Sequence, residues 1–374
     1  NMECWFEDRL AGRARRLWDL RARIEATSPG MLPQAWAQID AARRAGHWVA
    51  LLLDYELGEW LLPEAAQGPA LAPRTDQAPR LTALAFARAE IRAPWAAQPG
   101  DETARVLSVS ARLPESDYCQ EIEAIRQGIG NGEFYQINYT QPLDVHIEGE
   151  PAALYRRLAA RHPVSHAAFL QDGSRSVLSF SPELFVARQG SRLVTRPMKG
   201  TAPRSADPVE DRRLGQQLLD SDKDRAENLM IVDLLRNDLG RLARPGSVTV
   251  DALFSLEQYP TVWTLTSTIS AEAPEATLAE VLAALFPCGS ITGAPKIAAM
   301  RRIREREIAP RGLYCGSLGW LAPDGDFSLN VAIRTLVLGQ DGRGIYNVGG
   351  GIVHDSDPAL EWQECHWKAR ILSR

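Results

Sequence analysis

Apolar residues recur at helical spacing in several segments of the chain. In segment 115–130, Tyr118, Ile122, Ile125 and Ile129 share one helical face, and a glycine ends the pattern. The same spacing predicts helices at 32–45, Pro208–Leu219, 222–239, 277–286 and 295–307, and a last helix that begins at Pro358 with Asp357 or Ser356 as its N-cap.

Short apolar stretches without long helices between them predict strands. They read "HWVALLLDYEL", "EFYQINYTQPLDVHI", "AAFLQ", "RSVLSFS", "ELFVARQ", "RLVTRP", "GLYCGSLGWLA", "FSLNVAIRTLVL" and "GIYNVGGGIV". Several short strands in a row favour antiparallel pairing, so the predicted fold class is α+β.

The segment 62–100 shows no periodicity and is rich in Ala, Pro, Gln and Arg. We expect it to cross the surface between two parts of the molecule. This places a boundary near residue 112, between an N-terminal part (1–112), intertwined with the rest, and a core (113–374).

Composition excludes several classes of protein. The 374 residues are 45% hydrophobic and 24% charged, with a net charge of −5. The chain therefore lacks the excess of basic residues that is typical of nucleic-acid-binding proteins. No run of about 18 apolar residues and no signal peptide are found, and we expect a cytoplasmic protein that spans no membrane. The five cysteines are scattered, which favours reduced thiols over disulfides or a zinc site.

Two acidic pairs have the same spacing on predicted helices. Asp224 with Glu227, and Glu361 with Glu364, each place two carboxylates on one helical face, and Lys368 shares the face of the second pair. Either pair alone is typical of charges that complement a helix N-terminus. If the two helices face each other, four carboxylates converge, and Mg²⁺ is the hard cation that suits them.

Glycine-rich segments suggest a place for an anion. The stretch "CGSITGAPKIAAM" leads from a loop into a helix, with Thr292 and Lys296 beside the free N–H groups, but it lacks the P-loop pattern. Three glycines at 349–351 indicate either a tight bend or a close approach to the backbone. Arg334, placed within a predicted apolar strand, must reach solvent, a carboxylate partner or an anionic ligand.

Taken together, these segments resemble the chorismate-utilising enzymes, the family of anthranilate, aminodeoxychorismate and isochorismate synthases. The resemblance rests on "GEFYQINYTQ", "SFSPELF", "RPMKGTAPR", "DRAENLMIVDLLRNDLGR", "FPCGSITGAPKIAAM", "YCGSLGW", "LNVAIRTL" and "YNVGGGIVHDSDPALEWQE", in the family's order. Before about residue 110 it is loose, mainly in "GHWVALLLDYELG". The resemblance implies two large antiparallel sheets packed as a sandwich with helices outside, and chorismate as substrate.

The resemblance also implies roles for individual residues. Glu227 and Glu364 would bind Mg²⁺ directly, while Asp224 and Glu361 would hold its waters. The implied substrate contacts are Arg334, Lys368, Thr292, Gly293, Tyr314, Gly349, Gly350, Gly200 and Thr201.

Lys199 and Glu183 carry the implied chemistry. Family members that resemble aminodeoxychorismate synthase have a lysine at the position of Lys199, which adds to C2 of the ring, expels the C4 hydroxyl and is then displaced by ammonia entering at C4. Glu183 matches the family's general acid. A lysine with the ordinary pKa of about 10.4 is a poor nucleophile at neutral pH, so we expect burial to lower its pKa. Gln136 stands where isochorismate-forming members carry a water-activating lysine.

The resemblance therefore predicts formation of 4-amino-4-deoxychorismate for p-aminobenzoate and folate synthesis. Ammonia would come from a separate glutaminase subunit, since no amidotransferase motif is found. Because the chain ends just after the last predicted helix, we expect a separate lyase to act on the product. Anthranilate synthesis is the nearest alternative, and a non-catalytic or nucleotide-binding protein is another.

Two departures from the family pattern matter. Trp263 and Thr264 stand where members often carry a histidine, which fits a product that keeps its enolpyruvyl group. Cys288 stands where glycine or alanine is usual, and we interpret it as a small buried residue.

Overall fold

The strands of the chain are joined by antiparallel pairings into one network. In the computed structural model, which describes residues 2–74 and 77–373, the strands are β1 (Glu3–Asp8), β2 (Arg13–Ala26), β3 (Trp48–Leu53), β4 (Leu81–Arg92), β5 (Arg105–Ala111), β6 (Gln136–Glu148), β7 (His166–Asp172), β8 (Arg175–Ser181), β9 (Leu184–Gln189), β10 (Arg192–Thr195), β11 (Met198–Pro203), β12 (Thr249–Gln258), β13 (Val262–Glu272), β14 (Gly293–Ala294), β15 (Ser317–Leu321), β16 (Phe327–Asn330), β17 (Thr335–Gly339) and β18 (Arg343–Ile352).

Helices lie between these strands along the chain. They are α1 (Leu32–Arg44), α2 (Leu57–Leu61), α3 (Glu115–Gly130), α4 (Pro151–Arg161), α5 (Pro208–Leu219), α6 (Asp222–Gly240), α7 (Leu278–Leu285), α8 (Lys296–Arg306) and α9 (Pro358–Lys368), with short 3₁₀ turns elsewhere. No helix of the described residues is long and apolar enough to cross a membrane. The α+β prediction is confirmed.

The order of pairing shows how the sheet is built. From one edge it runs β5, β6, β18, β17, β8, β7, β1, β2, β4, β3, β15, β16, β9, β10, β13 and β12, with β14 beside β6 and β11 beside β13. The two halves of this network share the largest hydrophobic cluster, which contains Ile137 and Val348 from one half and Val186 and Leu329 from the other. The two layers implied by the family resemblance are thus halves of one continuous sheet.

The two ends of the network come together. A Cβ atom at Gly351 on β18 would lie 2.6 Å from Nζ of Lys199 on β11, although these strands belong to opposite ends of the pairing order. The sheet therefore curls back on itself, and the space between its ends is the place for a site.

Most predicted helices are found within one or two residues of the expected bounds. The helix expected to start at Pro295 begins one residue later, because Pro295 has extended backbone angles (φ −63°, ψ 146°) and is the N-cap. The apolar pattern did not predict helices α2 and α4 or strands β1, β2, β5, β11, β12, β13 and β14.

The expectation for segment 62–100 is wrong in its second half. Residues 81–92 form β4, which pairs with both β2 and β3, and Leu81 to Phe86 are buried. Because this part of β4 is covered on both faces and is rich in alanine, the sequence shows no alternation of polar and apolar residues. Strands β1–β4 lie between β7 and β15, while the boundary at residue 112 stays a prediction.

Candidate active site

A cavity of about 280 Å³ lies between the two ends of the sheet, beside α6 and α9. Its lining includes most of the side chains that the sequence singled out: Glu183, Lys199, Gly200, Thr201, Asp224, Glu227, Tyr314, Arg334, Gly349, Glu361, Glu364 and Lys368. Thr292, Gly293 and Gly350 are not part of the lining.

Lys199 reaches the cavity from a distorted strand. The register of β11 against β13 shifts between Met198 and Thr201, and Gly200 adopts φ +103°, a conformation that glycine tolerates without strain. Asn228 of α6 holds this bulge by donating from Nδ2 to the carbonyl of Lys199 at 3.5 Å. The local backbone thus aims the lysine between the sheet ends.

Burial lowers the pKa of Lys199, although the negative charges of Glu227 and Glu183 raise it. The positive charge of Lys368 adds to the lowering of this pKa. No carboxylate of the described residues forms an ion pair with Lys199 within 4 Å. Burial and the charge of Lys368 both favour the neutral amine, which is the nucleophilic form.

Glu183 is buried beside the same cavity, with 3% of its surface exposed. Burial raises the pKa of Glu183 to about 7, although hydrogen bonds from Ser290 and from the backbone of Met198 act in the opposite direction. Oγ of Ser290 donates to Oε2 of Glu183 at 2.8 Å. A carboxylic acid with this pKa can donate a proton near neutral pH.

The two cations that were expected to bind substrate come from different elements. Arg334 lies between β16 and β17 in a left-handed conformation (φ +50°), not within a strand as the sequence suggested. Within the described ranges it forms no ion pair, so the carboxylate-partner alternative is not found. Nζ of Lys368, at the end of α9, donates to the carbonyl of Gly349 at 2.6 Å.

The four acidic residues face the cavity from two capped helices. Oγ of Ser221 accepts from the N–H of Asp224 at the start of α6, and Oδ1 of Asp357 accepts from the N–H groups of Ala359 and Leu360 at the start of α9. These caps fix the first turns, which carry Asp224 and Glu361, and Glu227 and Glu364 follow three residues later; all four side chains line the cavity.

Burial and neighbouring negative charge raise the pKa values of acidic residues in both pairs. Burial raises the pKa of Glu361 to about 7, with the neighbouring charge of Glu364 adding to it. Burial also raises the pKa of Glu227. Between residues 2–74 and 77–373, no three His, Cys, Asp or Glu side chains lie close enough together to hold a metal ion. Since Mg²⁺ takes one or two carboxylates directly and keeps waters, the oxygen donors present still suit it.

The three glycines at 349–351 do not form a bend. They lie within β18, paired with residues 138–140 of β6. A Cβ at Gly350 would lie 3.1 Å from Oε2 of Glu361, and one at Gly351 would meet Nζ of Lys199. Close approach of side chains to the bare backbone is therefore the reason for glycine here.

The loop before α8 is more closed than its sequence suggested. Oγ1 of Thr292 donates to the carbonyl of Cys288 at 3.1 Å, and Nζ of Lys296 donates to the carbonyl of Leu285 at 3.0 Å. Gly293 has φ +152° and packs against the carbonyl of Gln136. These groups are engaged inside the protein and do not face the cavity.

Sequence reasoning did not assign several lining residues to the site. Asn138, Ser290 and Tyr346 line the cavity, as does Thr264, whose hydroxyl is buried and has no hydrogen-bond partner in the part of the chain that is described. Ser290 lies in the glycine-rich loop already noted, and Tyr346 begins a stretch that carries the family resemblance, but nothing in the sequence indicated that either side chain lines a cavity.

Comparisons with known proteins point to one family. The profile of a family described as chorismate binding enzyme matches residues 3–374. Aminodeoxychorismate synthase component 1 of Klebsiella aerogenes is 43% identical over 264 residues, which cover 70% of this chain and 58% of that protein. Anthranilate synthase component 1 of Streptomyces coelicolor is 40% identical over 265 residues, covering 70% of this chain and 52% of that protein.

A solved structure agrees in fold. Anthranilate synthase component I from Streptococcus pneumoniae TIGR4 superposes with a TM-score of 0.77 at 26% identity, covering 88% of this chain and 81% of that chain. The matched regions span little more than half of the two curated relatives. Because the family profile extends over almost the whole chain, the protein belongs to the chorismate binding enzyme family.

Proposed function

We propose that this protein is the large component of an aminodeoxychorismate synthase, which converts chorismate and ammonia to 4-amino-4-deoxychorismate. The observation that carries the proposal is Lys199, a partly buried lysine with a lowered pKa at the cavity between the sheet ends. Relatives of that name support it, although an anthranilate synthase of 40% identity is also similar.

The lysine would act as the first nucleophile. Its neutral amine adds to C2 of the ring, the two ring double bonds shift, and the hydroxyl leaves from C4. Glu183, whose pKa burial raises to about 7, gives its proton to that hydroxyl, which departs as water. Ammonia then adds at C4, the double bonds shift back, and Lys199 leaves C2.

The same cavity has groups for the substrate's carboxylates. Arg334, without an ion-pair partner in the described residues, and Lys368, bonded to a carbonyl, are the cations that would bind them. Asn138 and Thr264 line the same space and can donate hydrogen bonds to the substrate.

Magnesium belongs to the proposal as a cofactor. Glu227 and Glu364 would be direct ligands, and Asp224 and Glu361 would hold bound waters. The ion would supply positive charge for the acidic side chains and for a substrate carboxylate. The raised pKa of Glu361, caused by burial and by Glu364, fits a site that gains from a cation.

Ammonia would come from a glutaminase subunit, and a separate lyase would convert the product to p-aminobenzoate in folate synthesis. The term component 1 in the names of the relatives supports a second component. Gln136, buried on β6 at the cavity end of the strand, cannot act as a base for water, which supports ammonia as the second nucleophile.

Product analysis tests the proposal. The purified chain is incubated with chorismate, Mg²⁺ and ammonium at mildly alkaline pH, and products are resolved by mass before and after addition of aminodeoxychorismate lyase. We expect a 4-amino product that retains the enolpyruvyl group and that the lyase converts to p-aminobenzoate. Anthranilate formed without the lyase would assign the alternative reaction.

A further inference from the structure

A chain of buried polar side chains leads from the glycine-rich loop to Glu183. The loop carries Cys288 and Ser290, which are 6% exposed each, and Glu183 is 3% exposed. Oγ of Ser290 lies 2.8 Å from Oε2 of Glu183 and 3.2 Å from Sγ of Cys288. Sγ of Cys288 also lies 3.8 Å from the same carboxylate oxygen.

We propose that Ser290 is a positioning residue that holds Oε2 of Glu183 as a hydrogen-bond acceptor, so that Oε1 carries the proton given to the substrate. The inference rests on the proposed function, in which Glu183 is the general acid, and it assigns a role to a residue that the resemblance did not mark.

The direction of the hydrogen bonds follows from the atoms available. A serine hydroxyl has one hydrogen and two lone pairs. Its hydrogen goes to Oε2, because the carboxyl group has one proton at most and the substrate has to receive it. The lone pairs of Ser290 are then free to accept the S–H of Cys288, and burial, together with the charge of Glu183, raises the pKa of that thiol to about 12. Cys288 therefore remains a donor throughout the pH range of activity.

This arrangement also fixes the carboxyl plane. Ser290 holds one oxygen from the loop after α7, and the backbone N–H of Met198 on β11 donates to the same carboxylate. Met198 precedes Lys199, so the acid and the nucleophile are tied to one strand. A general acid that is free to rotate loses the alignment required for proton transfer.

Two titratable groups face Glu183 and enter any pH dependence. Lys199 approaches from β11 and Cys288 from the loop, and both act on the Glu183 carboxyl through their charges or hydrogen bonds. Since Lys199 must be neutral and Glu183 protonated, the rate should rise with pH through the lysine ionisation and fall with pH through that of the acid.

The test is the pH profile of kcat for Ser290→Ala, at saturating chorismate and with free ammonia held constant. Loss of the hydroxyl removes a donor that stabilises ionised Glu183, so its pKa rises. We expect the descending limb to move up by about half to one pH unit and the plateau kcat to fall about tenfold, with a smaller change in KM.

Variants with matched changes separate positioning from structure. Ser290→Thr keeps the hydroxyl, so the descending limb of its pH profile should lie at the wild-type position and most of kcat should be retained. Cys288→Ala removes the thiol that contacts both Ser290 and, at the longer distance of 3.8 Å, Oε2 of Glu183. It should move the descending limb of the pH profile in the same direction as Ser290→Ala but by less, which keeps the test available if Ser290→Ala does not fold.

The outcomes are distinct. A uniform loss of kcat in Ser290→Ala with an unmoved limb would show that the serine is only structural and would overturn the inference. Glu183→Gln should remove the limb and nearly all activity. If Glu183→Gln keeps full activity, the role of Glu183 as general acid in the proposed function fails as well. If Glu183→Gln is inactive but the pH profile of Ser290→Ala is unaltered, only the positioning role of Ser290 is overturned.

Discussion

At the scale of single residues, burial shifts the pKa values of the two principal side chains in the directions that the proposed chemistry needs. Burial lowers the pKa of Lys199 and raises that of Glu183, because a low-dielectric environment disfavours both charged forms. The sequence predicted the residue types and the need for burial. It could not predict Ser290 as the partner of Glu183, since these residues lie 107 positions apart in the chain.

Thr264 gives a residue-level prediction. Its hydroxyl is buried at the cavity without a hydrogen-bond partner among the described residues, which is costly until a ligand provides one. We expect Thr264→Val to raise the free energy of unfolding by about 1 kcal/mol and to weaken chorismate binding, as measured by urea denaturation and by KM.

Thr335→Val is the matched control. The hydroxyl of Thr335 lies 2.8 Å from that of Ser179 and donates to the carbonyl of Ile333 at 2.9 Å, so its removal should destabilise the protein. Equal destabilisation by both variants would show that Thr264 has a partner within the folded chain.

At the scale of elements, a bare stretch of β18 lets Lys199 and Glu361 reach the cavity. The sequence identified the three glycines but left a bend and a close approach as equal alternatives. Only the pairing of β18 with β6 decides between them, because the strand continues through all three positions. The acidic helices were predicted well, since their caps and spacing are local signals.

Gly351→Ala tests the close approach. The new Cβ would lie 2.6 Å from Nζ of Lys199 and 2.9 Å from Nε2 of Gln136, both at the ends of flexible side chains. We therefore expect a change in stability below about 1 kcal/mol and a loss of kcat of at least about tenfold, measured by thermal unfolding and steady-state kinetics.

Gly319→Ala is the control for a glycine required by the fold. Its Cβ would lie 1.9 Å from the carbonyl oxygen of Ser328 on the neighbouring strand β16, and the paired backbone there can move only at a high cost in free energy. This variant should lose several kcal/mol of stability. If Gly351→Ala unfolds as readily as Gly319→Ala, the glycine at 351 serves the sheet and not the site.

At the scale of the whole molecule, the site exists because one long sheet closes on itself. Lys199 lies near one end of the pairing order and Gly351 near the other, and β1–β4 from the N-terminal part occupy the middle. Sequence patterns predicted the α+β class, but they could not show this closure, which depends on contacts between distant segments. β4 was missed because burial on both faces hides its periodicity.

The central claim is that Lys199 forms a covalent bond to the ring, and intact-protein mass measurement tests it most directly. The chain is incubated with chorismate and Mg²⁺ in the absence of ammonia, beside Lys199→Met and the surface control Arg213→Met, whose side chain pairs with Glu210 on an exposed helix face. We predict a mass increase equal to chorismate less one water in the wild type and in Arg213→Met, reversed by ammonium, and none in Lys199→Met. An adduct of equal amount in Lys199→Met, or a fully active Lys199→Met, would contradict the claim.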